Sequence, residues 1–179
     1  MYTVVQLTTW LSERMSHTAL SPTAARRLLH ELAALHKETQ KDEHVVELGP
    51  SDEVGEDLSE WRAILVPPHS GPYAGGRFIL TIRVPATYPL HPPVISFATR
   101  IFHPNVHWRT GELCLDVLQS QWTPVWTLQS ACTAIIALLD DPEPDSPLNV
   151  DAANLARTGD SVAYTSVCQL YTRRYALSA

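Results

Sequence analysis

The sequence predicts an α+β fold in which an N-terminal helix precedes a four-stranded antiparallel meander sheet and further helices follow. Three observations indicate this order. A helix-start signal stands at Ser21-Pro22, four strand candidates then follow one another with short links, and helical spacing of apolar residues returns near the C-terminal end. The 179 residues have the length of one domain. We expect residues 1–20 to form an extension, residues 21–176 the core domain and residues 177–179 a tail.

The first helix is predicted to begin at Ser21, because serine is a favoured N-cap and proline is favoured at the first helical position. Leu28, Leu32 and Leu35 then form an apolar stripe at spacings of four and three residues. The charged residues are expected elsewhere on the helix surface, at Arg26, Arg27, Glu31 and Lys37.

Four strands are predicted after this helix. The clearest begins at Phe78, where apolar and polar side chains alternate with a period of two as far as Pro85. Gly49-Pro50 is expected to follow the first strand as a turn, and the proline-rich segment 88–93 is expected to be a rigid connector before the last strand. The predicted strands span residues 43–48, 61–66, 78–84 and 94–98.

Residues 99–127 show neither helical nor strand periodicity, yet they contain many apolar residues. A stretch of this length inside a domain is usually functional or disordered, and its apolar content favours a packed, ordered loop. We therefore expect any chemistry to reside there. Three helices are predicted afterwards, from residue 128, from a cap at Asn149 or Asp151 to a stop at Gly159, and from a cap at Asp160.

The composition argues against several classes of protein. Hydrophobic residues make up 45% of the chain and charged residues 18%, which is typical of a globular domain. The net charge of −6 argues against a nucleic-acid partner. No apolar run approaches the roughly 20 residues of a membrane span, and three cysteines without a C-x-x-C pair fit a reducing compartment. We expect a soluble, intracellular protein without direct membrane insertion.

The three cysteines differ in their surroundings. Cys132 and Cys168 fall on apolar helix faces, where free cysteine behaves as a small hydrophobic residue. Cys114 lies in the aperiodic stretch between Leu113 and Leu115, where its position by itself leaves both a functional and a structural role open. A cysteine peptidase using Cys114 with His103 or His107 is an alternative, but no local signature of such an enzyme accompanies it. A zinc site is disfavoured, because no Cys/His pairs have the required spacing.

Several short segments resemble one enzyme family in both order and spacing. His-Pro-Asn at 103–105, GELCLD at 111–116 and WTP at 122–124 resemble the active-site region of ubiquitin-conjugating enzymes. The segments GPYAGGRFILTI, YPLHPP and DPEPDSPLNVDAAN are similar to the family as well, so the resemblance covers most of the chain. Asn105 and Cys114 are nine positions apart, one more than in most members, and this region is most similar to the peroxisomal members.

The resemblance implies a mechanism that needs no cofactor and no metal. Cys114 would accept the C-terminal carbonyl of ubiquitin as a thioester from an activating enzyme, and a ligase complex would pass it to an acceptor amine or thiol. Asn105 matches the asparagine that stabilises the oxyanion, with bracing of the loop through backbone hydrogen bonds as the alternative. His103 would be structural, as in the family, rather than a general base.

Further active-site positions are implied by the resemblance. Asp145 and Ser146 match an acidic or hydroxyl gate near the acceptor, with serine where some relatives carry aspartate; solvated loop polarity is the alternative. Phe102 occupies an aromatic position on the acceptor side, or is simply packed. His103, Pro104 and Asp116 complete the predicted support of the site.

The family's ligase-binding positions correspond to Arg26 and Arg27 of the first helix, to Leu90, and to Pro124 and Val125. An ordinary solvated helix face is the alternative for the arginines, and core packing is the alternative for Val125.

The resemblance also implies partners and a location. The partners would be ubiquitin, its activating enzyme, a RING-type ligase, a peroxisomal import receptor as substrate and a membrane-anchored peroxisomal tether. The protein would be cytoplasmic and peripheral on the cytosolic face of the peroxisomal membrane. A non-peroxisomal role, a ubiquitin-like modifier as cargo and a catalytically silent ubiquitin-binding module are the alternatives, although a silent module would lack the cysteine.

Overall fold

The first helix and its cap form as the sequence predicts. In the computed structural model, which describes residues 20–37, 42–52, 57–113 and 122–177, helix α1 spans Pro22–Lys37. Its N-cap is Ser21, whose Oγ accepts a hydrogen bond from the amide of Ala24 at 3.1 Å. The predicted extension lies outside the described residues, apart from Leu20.

Four antiparallel strands follow in the order β1-β2-β3-β4, which confirms the predicted meander. Register pairs include Trp61 with Ile82 between β2 and β3, and Leu80 with Phe97 between β3 and β4. The strands span Val45–Pro50 (β1), Glu60–Leu65 (β2), Phe78–Arg83 (β3) and Val94–Phe97 (β4).

The predicted bounds of β1 were wrong at both ends. It begins at Val45 because the carboxylate of Asp42 accepts hydrogen bonds from the amides of His44 and Val45, which turns the chain before the strand. It continues through Pro50 because β1 is an edge strand of the sheet, where a proline without an amide donor is tolerated.

Three helices follow the sheet among the residues that the structure describes, as predicted: α2 (Leu128–Asp140), α3 (Val150–Arg157) and α4 (Ser161–Tyr175). Asn149 caps α3 and Asp160 caps α4 through their side chains. Gly159, with φ of 74°, lies between the two helices. Among the described residues, no helix is long and apolar enough to cross a membrane.

The core lies between one face of the sheet and the apolar face of α2. The alternating residues of β3 are buried on that face, and α2 packs against β1 and β2. Cys132 and Cys168 are both buried, which confirms their structural interpretation. The core residues of the strands and of α2 include Trp61, Leu65, Phe78, Leu80, Ile82, Phe97, Leu128, Ile135 and Leu139.

Candidate active site

The His-Pro-Asn segment lies in a buried turn between β4 and the chain that leads to Cys114. The His103 side chain is fully buried. Its Nδ1 lies 3.1 Å from the amide nitrogen of Asn105, and since a backbone amide can only donate, Nδ1 is the acceptor. Nε2 therefore carries the hydrogen and donates it to the carbonyl of Leu138 in α2, at 3.0 Å. Both ring nitrogens are occupied by the backbone.

Burial also determines the charge of this imidazole. Loss of solvation lowers the pKa of His103 to about 4, so the ring is neutral near pH 7. A neutral imidazole with both nitrogens engaged and no exposed surface is not placed to remove a proton from an acceptor. The geometry supports the structural interpretation of His103 and argues against the general-base and peptidase alternatives that used it.

The Asn105 side chain joins the His-Pro-Asn segment to the loop after α2. It is fully buried. Its Nδ2 donates to the carbonyls of Glu143 at 2.7 Å and Ser146 at 3.2 Å, and its Oδ1 accepts from the amide of Glu143 at 2.9 Å. The amide therefore holds both sides of this loop at once. In this conformation both of its donor hydrogens are used, which favours a bracing role for Asn105.

The same loop is held by three further hydrogen bonds. The carbonyl of Pro104 accepts from the amides of Leu148 and Asn149, each at 2.9 Å. At the other side, the Arg157 guanidinium donates to the carbonyl of Pro144. The loop that carries the predicted gate residues is thus anchored along its length.

The predicted gate residues differ in exposure. The Asp145 side chain is 99% exposed, and its Oδ1 lies 3.6 Å from Nε of Arg157. Ser146 is half-buried, with its carbonyl bound to Asn105. The Asp145 carboxylate is therefore exposed to solvent, on a loop whose backbone is hydrogen-bonded to the buried Asn105 side chain.

Cys114 and Asp116 lie outside the described residues. The chain before Cys114 is hydrogen-bonded to β4, because the carbonyl of Gly111 accepts from the amide of Phe97 at 2.8 Å. Leu113 pairs with Val106, which directly follows the His-Pro-Asn segment. Gly111 has φ of 75°, and a Cβ there would lie 2.0 Å from the carbonyl oxygen of Phe97. The described chain therefore reaches Leu113 directly beside the His-Pro-Asn segment.

Phe102 packs against the last helix. Its ring lies 5.5 Å from that of Tyr171 and 6.4 Å from that of Tyr164, between ring centroids. Its carbonyl accepts a hydrogen bond from the hydroxyl of Tyr73 at 2.7 Å. This position of Phe102 agrees with the packing alternative. Sequence reasoning missed Tyr73, whose only signal was its place in the GPYAGG turn.

The predicted ligase-binding residues occupy three neighbouring elements, and we call them the docking surface: Arg26, Arg27, Leu90, Pro124 and Val125. The Leu90 side chain is 71% exposed and that of Val125 is 84% exposed, so the core-packing alternative for Val125 is wrong. The loop that carries Leu90 and the loop that carries Pro124 and Val125 are joined by a hydrogen bond, because the indole Nε1 of Trp122 donates to the carbonyl of Pro89 at 2.8 Å.

Helix α1 is bound to the same loops through Arg27, a predicted ligase-binding residue, and Glu31, which was expected away from the apolar stripe. Arg27 donates through Nη2 to the carbonyl of Trp126 at 2.8 Å, and through Nε to Glu31 at 2.6 Å. Glu31 is buried rather than on the polar side of the helix. The prediction for Glu31 was wrong because its partners, at Tyr88 and Leu128, are distant in sequence.

The fold and the arrangement around the His-Pro-Asn turn match a known family. The family model of the ubiquitin-conjugating enzyme matches residues 27–172. This chain belongs to the ubiquitin-conjugating enzyme family, which transfers ubiquitin through a thioester intermediate and works with ubiquitin, an activating enzyme and a ligase.

Several of the similar proteins carry the name pex4 or peroxin-4. The chain is 50% identical over 151 residues to the ubiquitin-conjugating enzyme E2 pex4 of Dictyostelium discoideum, which covers 84% of this chain and 98% of that protein. It is 54% identical over 121 residues to protein PEROXIN-4 of Arabidopsis thaliana, covering 68% and 77%. The solved H. polymorpha enzyme Pex4p, in complex with the soluble domain of Pex22p, superposes with a TM-score of 0.79 at 36% identity, covering 87% of this chain and 99% of that chain.

Proposed function

We propose that Cys114 is the residue that carries ubiquitin as a thioester. The observation that carries this proposal is the contrast among the three cysteines. Burial raises the pKa of Cys132 to about 12 and also raises the pKa of Cys168, so both stay protonated thiols within the core. Cys114 stands instead in the GELCLD segment that follows the His-Pro-Asn turn.

The reaction at Cys114 comprises two acyl transfers. The Cys114 thiolate attacks the thioester carbonyl of ubiquitin held by the activating enzyme, and the activating enzyme's thiolate leaves. An acceptor amine or thiol then attacks the new thioester, and the Cys114 thiolate leaves. Each step passes through an oxyanion.

We propose that Asn105 braces the loop between α2 and α3, residues 141–149, which carries Asp145 and which we call the gate loop. Three hydrogen bonds between its side chain and the backbone of Glu143 and Ser146 support this assignment. Stabilisation of the oxyanion by Asn105 would require Nδ2 to release one of its carbonyl partners. We propose that the exposed carboxylate of Asp145 meets an incoming acceptor, and that Asp116 and Pro104 support the same site.

The test of the nucleophile is a gel assay with activating enzyme, ATP and ubiquitin. We expect a thiol-sensitive shift of one ubiquitin for the parent enzyme. Cys114→Ser should give a thiol-resistant oxyester or no adduct, because an alkoxide is a poorer leaving group than a thiolate. Cys132→Ala and Cys168→Ala are matched controls that should still charge. Thiol-sensitive charging of Cys114→Ser would overturn the assignment.

The docking surface is proposed to bind a RING-type ligase. Its exposed Leu90 and Val125 would otherwise place apolar side chains in water beside two arginines of α1. Leu90→Ala and Val125→Ala should reduce ligase-stimulated discharge with little change in melting temperature. Unchanged stimulation in both variants would exclude this surface.

We further propose that the enzyme acts at the cytosolic face of the peroxisomal membrane on an import receptor, recruited by a membrane-anchored tether. The similarity to the pex4 and PEROXIN-4 proteins supports this role, and the complex of the solved relative with Pex22p supports the tether. Peroxisomal localisation should be lost in cells lacking the tether. Tight binding to protein-free vesicles of peroxisomal lipids would contradict this mode of recruitment.

A further inference from the structure

A single buried carboxylate contacts all three elements of the docking surface. Glu31 is only 6% exposed. Its Oε1 accepts from Nε of Arg27 at 2.6 Å and from the hydroxyl of Tyr88 at 2.7 Å. Its Oε2 accepts from the amide of Leu128, the first residue of α2, at 2.9 Å. The donors come from α1, from the loop before Leu90 and from the end of the loop that carries Val125.

These contacts lie close in sequence to the exposed side chains. Tyr88 precedes Leu90 by two positions, and Trp126, which Arg27 binds through its carbonyl, directly follows Val125. The chain is therefore held close to each exposed apolar residue, by the Tyr88 side chain near Leu90 and by the Trp126 carbonyl next to Val125, while Leu90 and Val125 are themselves exposed. Such rigid presentation lowers the ordering cost when a partner binds.

We infer that Glu31 is a positioning residue for ligase binding, which sets the relative placement of α1 and the two loops of the docking surface. The inference rests on the proposed role of that surface. Because Glu31 is buried, it cannot contact a partner directly, and it acts through the positions of Arg27, Leu90 and Val125.

The charge of Glu31 is needed because its three partners all donate. A carboxylate offers acceptors on both oxygens, whereas the glutamine amide offers one acceptor and one donor. In Glu31→Gln, either Arg27 or the amide of Leu128 faces an NH₂ group, whichever way the amide is turned. One buried donor is then left without a partner, and the junction must shift.

The test measures discharge of the ubiquitin thioester to free lysine over a concentration series of a RING domain that accelerates the parent enzyme. For Glu31→Gln we expect the half-saturating RING concentration to rise about tenfold, as expected for one mispaired buried donor. The rate at saturating RING should fall much less, because a partner in excess restores the bound arrangement. Glu47→Gln, which removes the charge of an exposed carboxylate paired with Arg62, is the matched control and should keep the parent value.

A second variant keeps the test decisive if Glu31→Gln does not fold. Tyr88→Phe removes only one hydroxyl and leaves the carboxylate with Arg27 and Leu128, so we expect a rise of about threefold in the half-saturating concentration. Amide NMR signals of Leu90 and Val125 should shift in both variants, with those of β3 unchanged.

The outcomes separate this inference from the proposed docking surface. If Leu90→Ala and Val125→Ala raise the half-saturating concentration but Glu31→Gln and Tyr88→Phe keep the parent value, the inference is wrong and the surface stands. If neither Leu90→Ala nor Val125→Ala has an effect, the surface itself is wrong. Equal losses in half-saturating concentration and saturated rate for Glu31→Gln would indicate general damage and would also overturn the inference.

Discussion

Two of the buried polar junctions in the described part of this enzyme are built from different chemical groups. Beside the His-Pro-Asn segment, at what we call the active-site junction, the neutral imidazole of His103 and the neutral amide of Asn105 bind backbone groups of α2 and of the loop that follows it. Beneath the docking surface, the carboxylate of Glu31 binds an arginine, a tyrosine and a helix amide. Both junctions are buried, but only the second contains charged side chains.

The difference follows from what each junction has to satisfy. The loop at Glu143 presents an amide donor and a carbonyl acceptor, and the Asn105 side chain matches that pair. The docking side presents donors only, and a carboxylate is the side chain that accepts from several donors at once. A buried carboxylate needs a cation nearby, and Arg27 supplies it. The hydrogen bond that Arg27 donates to Glu31 is the main cause of the raised pKa of Arg27.

The largest effect should come from removing the Asn105 amide at the active-site junction. Asn105→Ala leaves both backbone groups of Glu143 without their partner, so the gate loop moves relative to the thioester. We expect discharge to free lysine and to a protein acceptor to fall about 10²-fold, the scale for a misplaced reacting group, together with a lower melting temperature. The measurement is single-turnover discharge of a pre-formed thioester, alongside thermal unfolding. A slow discharge with an unchanged melting temperature would point to the oxyanion role instead.

The second effect is a pH dependence of stability that arises from His103 at the active-site junction. His103 has a folded-state pKa of about 4 against an ordinary value of 6.5, so between these pH values the unfolded chain binds a proton that the folded chain does not. The free energy of unfolding should therefore fall by about 3 kcal/mol as the pH drops from 6.5 to 4. Urea unfolding at a series of pH values measures it. His103→Gln should remove most of this slope, and a slope unchanged by that substitution would contradict the assignment.

A third effect tests how firmly the chain before Cys114 is held. Gly111→Ala combines a positive φ with a Cβ placed against the Phe97 carbonyl, whereas Gly159→Ala has a φ of 74° with nothing within 4 Å of the Cβ. We expect Gly159→Ala to cost about 1 kcal/mol of stability and Gly111→Ala about 2 kcal/mol more. Denaturant unfolding and the rate of charging check both variants. Equal costs at the two positions would show that the contact with Phe97 is not tight.

The smallest effect concerns the cation of the docking junction. Arg27 contacts Glu31 through Nε and the carbonyl of Trp126 through Nη2, and a lysine ammonium cannot reproduce this forked geometry. Arg27→Lys should cost about 1 kcal/mol or less of stability, since the charge is kept and the side chain is 28% exposed. Thermal unfolding compares the stability lost in Arg27→Lys with that lost in Arg62→Lys, because the ion pair of Arg62 with Glu47 is exposed. A cost equal to that of Arg62→Lys would mean that the buried junction does not depend on the fork.

The order of elements was predictable because it depends on local signals. The period-two pattern from Phe78, the apolar stripe of α2 and the caps at Ser21, Asn149 and Asp160 act within a few residues, and the structure confirms each. The motif resemblance identified the family for the same reason, because its residues stand together in short segments. The roles of the individual site residues, Cys114 above all, stay predictions.

The sequence by itself therefore determined the fold class, the family and the positions of the candidate site, whereas tertiary structure decided how those positions are held. The Arg27–Glu31 pair, four residues apart on a helix, looks like a solvated surface pair until Tyr88 and Leu128 are brought to it from 57 and 97 residues away. Asn105 likewise finds its partners 38 and 41 residues later. Whether a polar side chain is buried depends on which groups face it across the fold, and such long-range contacts leave no periodic trace in the sequence.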